Sequence, residues 1–263
     1  MFIHNLDPVL FDFGFLEIRW YSLAYIFGIL FGWWFGKHLI KIKFYNYQNE
    51  KLLKDFDDLV TFLIISIILG GRLGYIIFYN LEYYTNNPFE IVKVWKGGMS
   101  FHGALIGIVI GTYLFAIKKR IKPFLLLDII ACVSPIGIFF GRIANFINSE
   151  LIGKVTNVKW SVVFPIIDSM KRHPSQIYEA ILEGIVLFII MCVAVSKKNY
   201  KIGTCSFLFL ISYGVFRVIA EIFREPDVQI GYLFNFISMG TLLSTLMILT
   251  GLIIYIYLKK NEN

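Results

Sequence analysis

The sequence predicts an all-α integral membrane protein with seven transmembrane helices, an outside N-terminus and a C-terminus in the cytoplasm. Three observations support this prediction. The 263 residues are 57% hydrophobic and only 16% charged, whereas soluble domains carry about 25% charged residues. Seven apolar stretches are each long enough to cross a bilayer, which takes about 20 helical residues. Finally, lysine and arginine are concentrated in alternate loops, as the positive-inside rule requires.

The first apolar stretch does not resemble a cleaved signal peptide, because Asp7, Asp12 and Glu17 precede it in place of a basic region. We therefore expect one integral membrane domain over residues 1–263, with an outer segment at 147–174 between the fourth and fifth helices. The predicted helices cover approximately 17–40, 57–80, 99–117, 124–146, 175–196, 203–222 and 233–258.

The loops fix the predicted orientation. The loops 37–56, 118–123 and 197–202, together with the C-terminal tail, hold 14 lysines and arginines, and the loops on the other side hold seven. The side rich in basic residues is the cytoplasmic one. The N-terminus is therefore expected outside.

The formal net charge of +7 does not indicate nucleic-acid binding. A nucleic-acid interface needs lysine and arginine gathered on one exposed face, and here they lie in short loops between apolar stretches. We therefore expect the surface of the protein to contact membrane lipids and not nucleic acid.

Four arginines lie inside the predicted helices: Arg19, Arg72, Arg142 and Arg217. Each costs roughly 2.5–3.5 kcal/mol at the centre of a membrane helix, so it needs a partner, water or a ligand. With the N-terminus outside, most of the polar residues in the helices fall in the outer half of the membrane. They are Tyr21, Arg72, His102, Arg142, Asn145, Gln176, Tyr178, Glu179, Tyr213, Arg217 and Glu221, with Glu150, Arg172 and His173 close to the helix ends. A transporter needs polar groups that reach both faces, so this one-sided distribution favours a site that opens outward.

Arginine side chains suit an anionic ligand. The planar guanidinium of Arg72, Arg142, Arg172 or Arg217 matches phosphate or carboxylate in a bidentate geometry. A ligand that enters from the outer leaflet with an anionic head is a phospholipid. The alternative is that these arginines only join helices by ion pairs, such as Arg217 with Glu221 four residues later.

His102 is the candidate base at the outer face. A neutral imidazole has a pKa near 6.5 and accepts a proton at neutral pH, and His173 is the next candidate. The alternative is that His102 is a hydrogen-bonded polar residue of the core. No pair of histidines or cysteines has the spacing of a metal site, so no metal is expected.

Several longer strings carry more specific information. The chain resembles the prolipoprotein diacylglyceryl transferase family from the string "IRWYSLAY" at Ile18 to the last helix, and "GRIANFINSE" is the most specific match. The other matching strings are "GGRLGYIIFYN", "WKGGMSFHGALIG", "RHPSQIYEAILEG", "YGVFRVIAEIFREPD" and "ISMGTLLS".

The resemblance implies an enzyme of the bacterial inner membrane that needs no cofactor. It would move the diacylglyceryl group of phosphatidylglycerol to the lipobox cysteine of a prolipoprotein signal peptide and release glycerol 1-phosphate. The family has seven membrane helices and a periplasmic N-terminus, and its active site faces the periplasm. The resemblance agrees with the orientation inferred from the loop charges.

The resemblance also implies roles for residues. Its catalytic residues correspond to His102, Arg142 and Arg217. Its substrate-binding positions correspond to Asn145, Glu150, Gly153, Tyr21, Tyr213, Glu221 and Arg224, to which we add Arg72 for its place in a helix. For Asn145 and Glu150 a helix-end cap is the alternative. The outer stretch 154–171 is shorter than is common in the family, which bears on peptide docking.

A rival function of a different class is a lipid transporter or scaffold that binds phosphatidylglycerol without chemistry. Such a protein would keep the arginines but would not need a histidine at the outer face. Incubation with phosphatidylglycerol and a lipobox peptide distinguishes the two.

Overall fold

The structure is a computed structural model that describes residues 2–14, 17–44, 49–226, 231–233 and 237–260. Within these residues, seven helices are long and apolar enough to cross a membrane. The predicted fold class, an all-α membrane protein with seven spans, is confirmed. The helices are α1 (Trp20–Lys43), α2 (Asn49–Tyr79), α3 (Leu81–Asn86), α4 (Phe101–Lys119), α5 (Pro123–Ile147), α6 (Ser175–Glu179), α7 (Leu187–Ser196), α8 (Thr204–Glu221) and α9 (Met239–Lys260).

One span changes helix type partway. A π-helical stretch, Ala180–Val186, joins α6 to α7, so that the fifth span runs without a break over Ser175–Ser196. Short π-helical stretches in helices often occur at functional sites. In this chain the stretch contains a buried glutamate, Glu183.

Two helix boundaries differ clearly from the predicted ones. Helix α2 begins at Asn49 rather than near 57, because its first two turns are charged and a hydropathy pattern detects only the apolar part. Helix α9 begins at Met239 rather than 233. The hydroxyl of Ser238 accepts the backbone N–H of Thr241 at 3.1 Å, which is the geometry of an N-cap and starts the helix there.

Short strands connect the helices. They are β1 (Phe2–Ile3), β2 (Val9–Asp12), β3 (Glu17–Arg19), β4 (Val162–Val163), β5 (Lys171–Arg172), β6 (Tyr232–Leu233) and β7 (Ile237–Ser238). Strand β4 lies between β1, which is parallel to it, and β5, which is antiparallel. The strands β2 and β3 pair in antiparallel orientation, and so do β6 and β7.

Contacts within the chain divide it into two compact units. Unit 1 is Met1–Gly36 with Asp128–Asn263, and unit 2 is Lys37–Leu127. The expectation of a single membrane domain over 1–263 stays a prediction.

In unit 2, the helices α2 and α4 pack backbone against backbone. A methyl group added to Gly70 would lie 2.8 Å from the Cα atom of Gly107, and one added to Gly74 would lie 3.1 Å from the backbone nitrogen of Gly103. Small residues four apart allow such close approach of membrane helices. The pairing fixes the start of α4, where His102 lies.

In unit 1, the N-terminal strand is attached to the outer segment 147–174. His4 follows β1 and is buried, and its Nδ1 atom lies 3.1 Å from the hydroxyl of Ser149. Its ring packs against Phe146 and Phe164. Burial lowers the pKa of His4, because the charged imidazolium is disfavoured away from water. A neutral histidine therefore joins the first strand to the outer segment.

Candidate functional site

Six charged side chains meet within unit 1, and we call them the arginine–glutamate cluster. Arg142 of α5 donates to Glu183 Oε2 from Nη2 at 2.9 Å and from Nε at 3.2 Å, and its Nη1 lies 2.9 Å from Glu179 Oε2. Arg217 of α8 lies 3.0 Å from the same Glu179 oxygen. Both glutamate side chains are fully buried. The cluster consists of Arg142, Glu179, Glu183, Arg217, Glu221 and Arg224.

Helical spacing places these groups on facing sides of the spans. Arg217 and Glu221 are four residues apart on α8, which brings their side chains together, and Arg217 Nη2 donates to Glu221 Oε1 at 2.5 Å. Glu179 and Glu183 have the same spacing at the junction of α6 and the π-helical stretch. Arg224 follows α8 and donates to Glu179 Oε1 at 3.3 Å.

Some ion pairs of the cluster form hydrogen bonds, and others are close but poorly aligned. Arg217 Nη1, Glu179 Oε2 and Glu183 Oε1 are buried and have no hydrogen-bond partner, although each lies within 4 Å of an opposite charge. Buried charges lose their hydration, and attraction offsets that loss only when the geometry is excellent. The geometry therefore offsets that loss only in part, and Arg217 Nη1 is a donor without a hydrogen-bond partner.

The last turn of α5 and the segment that follows it carry three of the predicted binding residues. Asn145 donates to Glu150 Oε2 at 2.8 Å, and Gln176 donates to the backbone oxygen of Glu150 at 2.5 Å. Gly153 pairs with Arg224 in an isolated β-bridge, and a Cβ atom at Gly153 would overlap the carbonyl oxygen of His173. The segment therefore holds Arg224 beside the cluster.

The same segment contains unusual backbone angles. Ser149 and Leu151 have φ values of 55° and 54°, in the left-handed region that non-glycine residues seldom adopt. These two residues turn the chain back after α5 ends at Ile147. Strained backbone of this kind is concentrated at functional sites. Substrate binding by Asn145, Glu150 and Gly153 stays a prediction.

The two predicted tyrosines also lie in unit 1. Tyr213 is buried on α8, one turn before Arg217, with its ring stacked on Phe209. Tyr21 is half-buried on α1 and accepts a long hydrogen bond of 3.5 Å from the hydroxyl of Tyr25. Their roles in lipid binding stay predictions.

Arg72 lies in unit 2 and binds backbone rather than a carboxylate. Its three guanidinium nitrogens donate to five carbonyl oxygens in the loop that follows α3, including that of Ile91 at 2.8 Å and that of Glu90 at 2.6 Å. The guanidinium also lies 5.0 Å from the ring centre of Tyr84. In this structure Arg72 fixes the loop, and lipid binding by Arg72 stays a prediction.

His102 is the second residue of α4 in unit 2 and is half-buried. Ser100 precedes the helix as its N-cap, and its hydroxyl accepts the N–H of Gly103 at 3.2 Å. The backbone N–H of Ser100 donates to Gly71 of α2 at 2.9 Å. These contacts anchor the turn that carries the imidazole.

His173 and Arg172 are held by the outer segment of unit 1. The ring of His173 contacts Phe223, and its Nδ1 lies 3.1 Å from the hydroxyl of Tyr178. Burial lowers the pKa of His173. Arg172 is paired with Asp168 at 2.5 Å, and this hydrogen bond lowers the pKa of the Asp168 carboxyl.

From the sequence, Glu179 was placed among the outer-half polar residues, but neither Glu179 nor Glu183 was predicted as a site residue. The signal was present, because an ionisable side chain within a membrane span is a functional candidate by default, and Glu183 interrupts an apolar run. That rule was applied to the four arginines and not to these two glutamates. Among the described residues, no group of three histidine, cysteine, aspartate or glutamate side chains is placed to hold a metal ion.

Known proteins are similar to this chain over nearly its whole length. The chain matches the model of the prolipoprotein diacylglyceryl transferase family over residues 8–257. It is 52% identical over 257 residues to a phosphatidylglycerol–prolipoprotein diacylglyceryl transferase of Rickettsia bellii (strain OSU 85-389), which covers 97% of this chain and 95% of that protein. A protein of the same name from Ehrlichia canis (strain Jake) is 50% identical over 250 residues, 94% of each chain. The family predicted from the sequence is confirmed: this chain belongs to the prolipoprotein diacylglyceryl transferase family.

Proposed function

We propose that this chain transfers the diacylglyceryl group of phosphatidylglycerol to the lipobox cysteine of bacterial prolipoproteins and releases glycerol 1-phosphate, the first step of lipoprotein maturation. The observation that carries this proposal is the mostly buried pair Arg142 and Arg217, which share the carboxylate of Glu179 inside the candidate membrane spans. The names of the relatives support the two substrates.

The reaction requires that the negative charge on the leaving phosphate be stabilised. The thiolate of the cysteine attacks the glycerol carbon that bears the phosphate ester, and the phosphate gains charge as the carbon–oxygen bond breaks. Arg142 and Arg217 would bind this phosphate, and donors in a site that excludes water stabilise developing charge far better than water does. They would also hold the lipid head in line for attack.

A thiol with a pKa near 8.5 is mostly protonated at pH 7, so the nucleophile needs a base. His102 is the base predicted from the sequence. Arginine is unsuited, since its pKa stays above 12.

We further propose that the protein lies in the bacterial inner membrane with this chemistry on the periplasmic side. The support is the ratio of 14 to seven basic residues between the two sets of loops. The prolipoprotein would then reach the enzyme after export, and phosphatidylglycerol would arrive from the outer leaflet.

The test is transfer by the purified protein in nanodiscs that contain phosphatidylglycerol. A synthetic lipobox peptide should gain the mass of diacylglycerol, and the same peptide with serine for its cysteine should not. Phosphatidylethanolamine nanodiscs are the lipid control. Binding of phosphatidylglycerol without any transfer would favour the lipid transporter or scaffold instead.

His102→Gln tests the base. Loss of a general base typically costs about 10²- to 10⁴-fold in rate, and the deficit should shrink as the pH rises toward 9, because the thiol then ionises unaided. Transfer rates between pH 6 and 9 check this, with His173→Gln as the matched variant. A rate ratio that stays constant across this range assigns the proton to another residue.

A further inference from the structure

The arginine–glutamate cluster is electrically balanced. Its three guanidinium groups face three carboxylates within the described part of unit 1. A phosphodiester brings one more negative charge. A buried, uncompensated charge is strongly disfavoured. A balanced cluster therefore accepts the lipid head most easily if it gains one positive charge at the same time. The simplest positive charge to gain is a proton.

We propose that Glu183 takes up this proton when the phospholipid binds, and then gives it to the leaving phosphate as a general acid. This inference rests on the function proposed above and adds a catalytic residue to it.

Glu183 is the carboxylate most dependent on the arginine that must bind phosphate. Its Oε2 accepts both hydrogen bonds from Arg142. Its Oε1 has no hydrogen-bond partner and lies 3.7 Å from Arg217 Nη1. If Arg142 turns its two donors to a phosphate, Glu183 loses its hydrogen bonds while it remains fully buried. A carboxyl group in that position is stable as the neutral acid.

Glu179 and Glu221 are held by more partners. Glu179 lies within 3.3 Å of Arg142, Arg217 and Arg224, so Arg224 still contacts it when the other two arginines turn to the phosphate. Glu221 accepts from Arg217 and from the hydroxyl of Ser238 at 2.9 Å, and the serine remains when Arg217 turns. Both carboxylates therefore keep one donor, whereas Glu183 keeps none.

The charged and titratable groups around Glu183 come from two packed helices and its own. Arg142 faces it from α5, and Arg217 and Tyr213 face it from α8. Glu179 lies four residues earlier on the same span. The two arginines that contact Glu183 are the two proposed to bind the phosphate, so the acid and the leaving oxygen would share the same donors.

The reaction then balances. Phosphatidylglycerol binds as a monoanion while Glu183 takes one proton from solvent. The thiol proton goes to the base, the sulfur–carbon bond forms, and the carbon–oxygen bond to phosphate breaks. The proton of Glu183 passes to a phosphate oxygen, which leaves glycerol 1-phosphate as a monoanion. The base then returns its proton to solvent, and the restored Glu183 carboxylate competes with the product for Arg142.

The first experiment counts protons without any transfer. Calorimetric titration of the nanodisc-bound protein with short-chain phosphatidylglycerol, in buffers of different ionisation enthalpy, should give uptake of about one proton per lipid for the wild type. Glu183→Gln should bind the lipid with no uptake, because the neutral amide leaves the cluster with one excess positive charge. Asp58→Asn, outside the cluster, should still take up the proton.

The second experiment identifies the side chain that takes up the proton. Infrared difference spectra on lipid binding should show the carbonyl stretch of a protonated carboxylic acid. That band should shift in Glu183→Asp and stay in place in Glu179→Asp and Glu221→Asp. Glu183→Gln should also transfer about 10²-fold more slowly, mainly in kcat rather than KM.

A wild type that binds phosphatidylglycerol without proton uptake, or a band that shifts with Glu179→Asp or Glu221→Asp, overturns the inference. The wild-type proton count and the aspartate variants decide the matter even if Glu183→Gln does not fold. Transfer activity in the same samples separates the two levels: transfer without proton uptake leaves the proposed function intact, and absence of both lipid binding and transfer removes it.

Discussion

The described part of unit 1 buries carboxylates in two places, and the carboxylates are satisfied in opposite ways. Asp128 of α5 is fully buried and accepts hydrogen bonds from the hydroxyls of Tyr200 and Ser206 and from the backbone N–H groups of Gly203 and Ser206. Glu179 and Glu183 are equally buried but face long arginine side chains. One oxygen of each glutamate and one nitrogen of Arg217 have no hydrogen-bond partner. The first carboxylate meets fixed neutral donors, and the other two meet movable charges.

This difference explains what each place is suited to do. The donors of Asp128 lie at the start of α8, where unpaired N–H groups and the helix dipole favour a negative charge. No counter-charge is needed, and the carboxylate joins α5 to α8. An arginine that binds a glutamate can exchange it for a phosphate, so the cluster at the other end of α8 suits a ligand. Burial of charge by itself therefore does not separate structural from functional sites.

The largest expected effect concerns the arginines. Arg142→Lys or Arg217→Lys should lower transfer by about 10²- to 10³-fold, because an ammonium group lacks the planar fork that binds phosphate in two places. Thermal stability in detergent should change little. Transfer to a lipobox peptide and the unfolding temperature are measured together, with Arg120→Lys in an exposed loop as the control. Full turnover by either lysine variant would remove the phosphate-binding role.

Asp128→Asn should lower thermal stability and leave transfer activity nearly unchanged. An amide has one acceptor oxygen, so hydrogen bonds to a charged group are lost at a cost of about 2 kcal/mol, which should lower the unfolding temperature by roughly 5 °C. Turnover per folded molecule should stay near the wild-type value. Asp58→Asn, whose side chain is mostly exposed, is the matched control. A loss of turnover at unchanged stability would make Asp128 part of the site.

The smallest effect is expected from Gly240→Ala. A methyl group at this position in α9 would overlap Glu221 Oε1 and approach Arg217 Nη2 at 3.4 Å, so Glu221 must shift away from Arg217. We expect about a tenfold decrease in transfer, from a strain of 1–3 kcal/mol. Gly137→Ala, where an added methyl meets nothing within 4 Å, should be near wild type. Equal activities of the two variants would show that the Glu221–Arg217 contact is dispensable.

The sequence was informative wherever the membrane imposes a rule. A bilayer requires about 20 apolar residues per span, which is why seven helices are readable in the composition. It also makes buried charge costly, which is why Arg142 and Arg217 stood out. The same rule applied to acidic residues would have added Glu183.

Other features leave no periodic signal. Arg72 binds carbonyl oxygens of residues 90–98, and any residue type supplies a carbonyl oxygen. Strands β1 and β4 are two residues long and lie about 160 positions apart, too short for an alternating pattern. The paired strands β6 and β7 lie where the seventh span was predicted to begin, since their apolar residues resemble those of the helix that follows.

The π-helical stretch 180–186 changes how the fifth span must be compared with related sequences. A π-helix closes its hydrogen bonds one residue later than an α-helix, so side chains beyond Val186 are out of phase with those before Ala180, by about 100° for each residue inserted. A helical wheel drawn straight through Ser175–Ser196 would assign the wrong faces to one half. An alignment gap of one residue here would mark a relative with a regular helix, in which Glu179 and the residues of α7 present different faces to their neighbours.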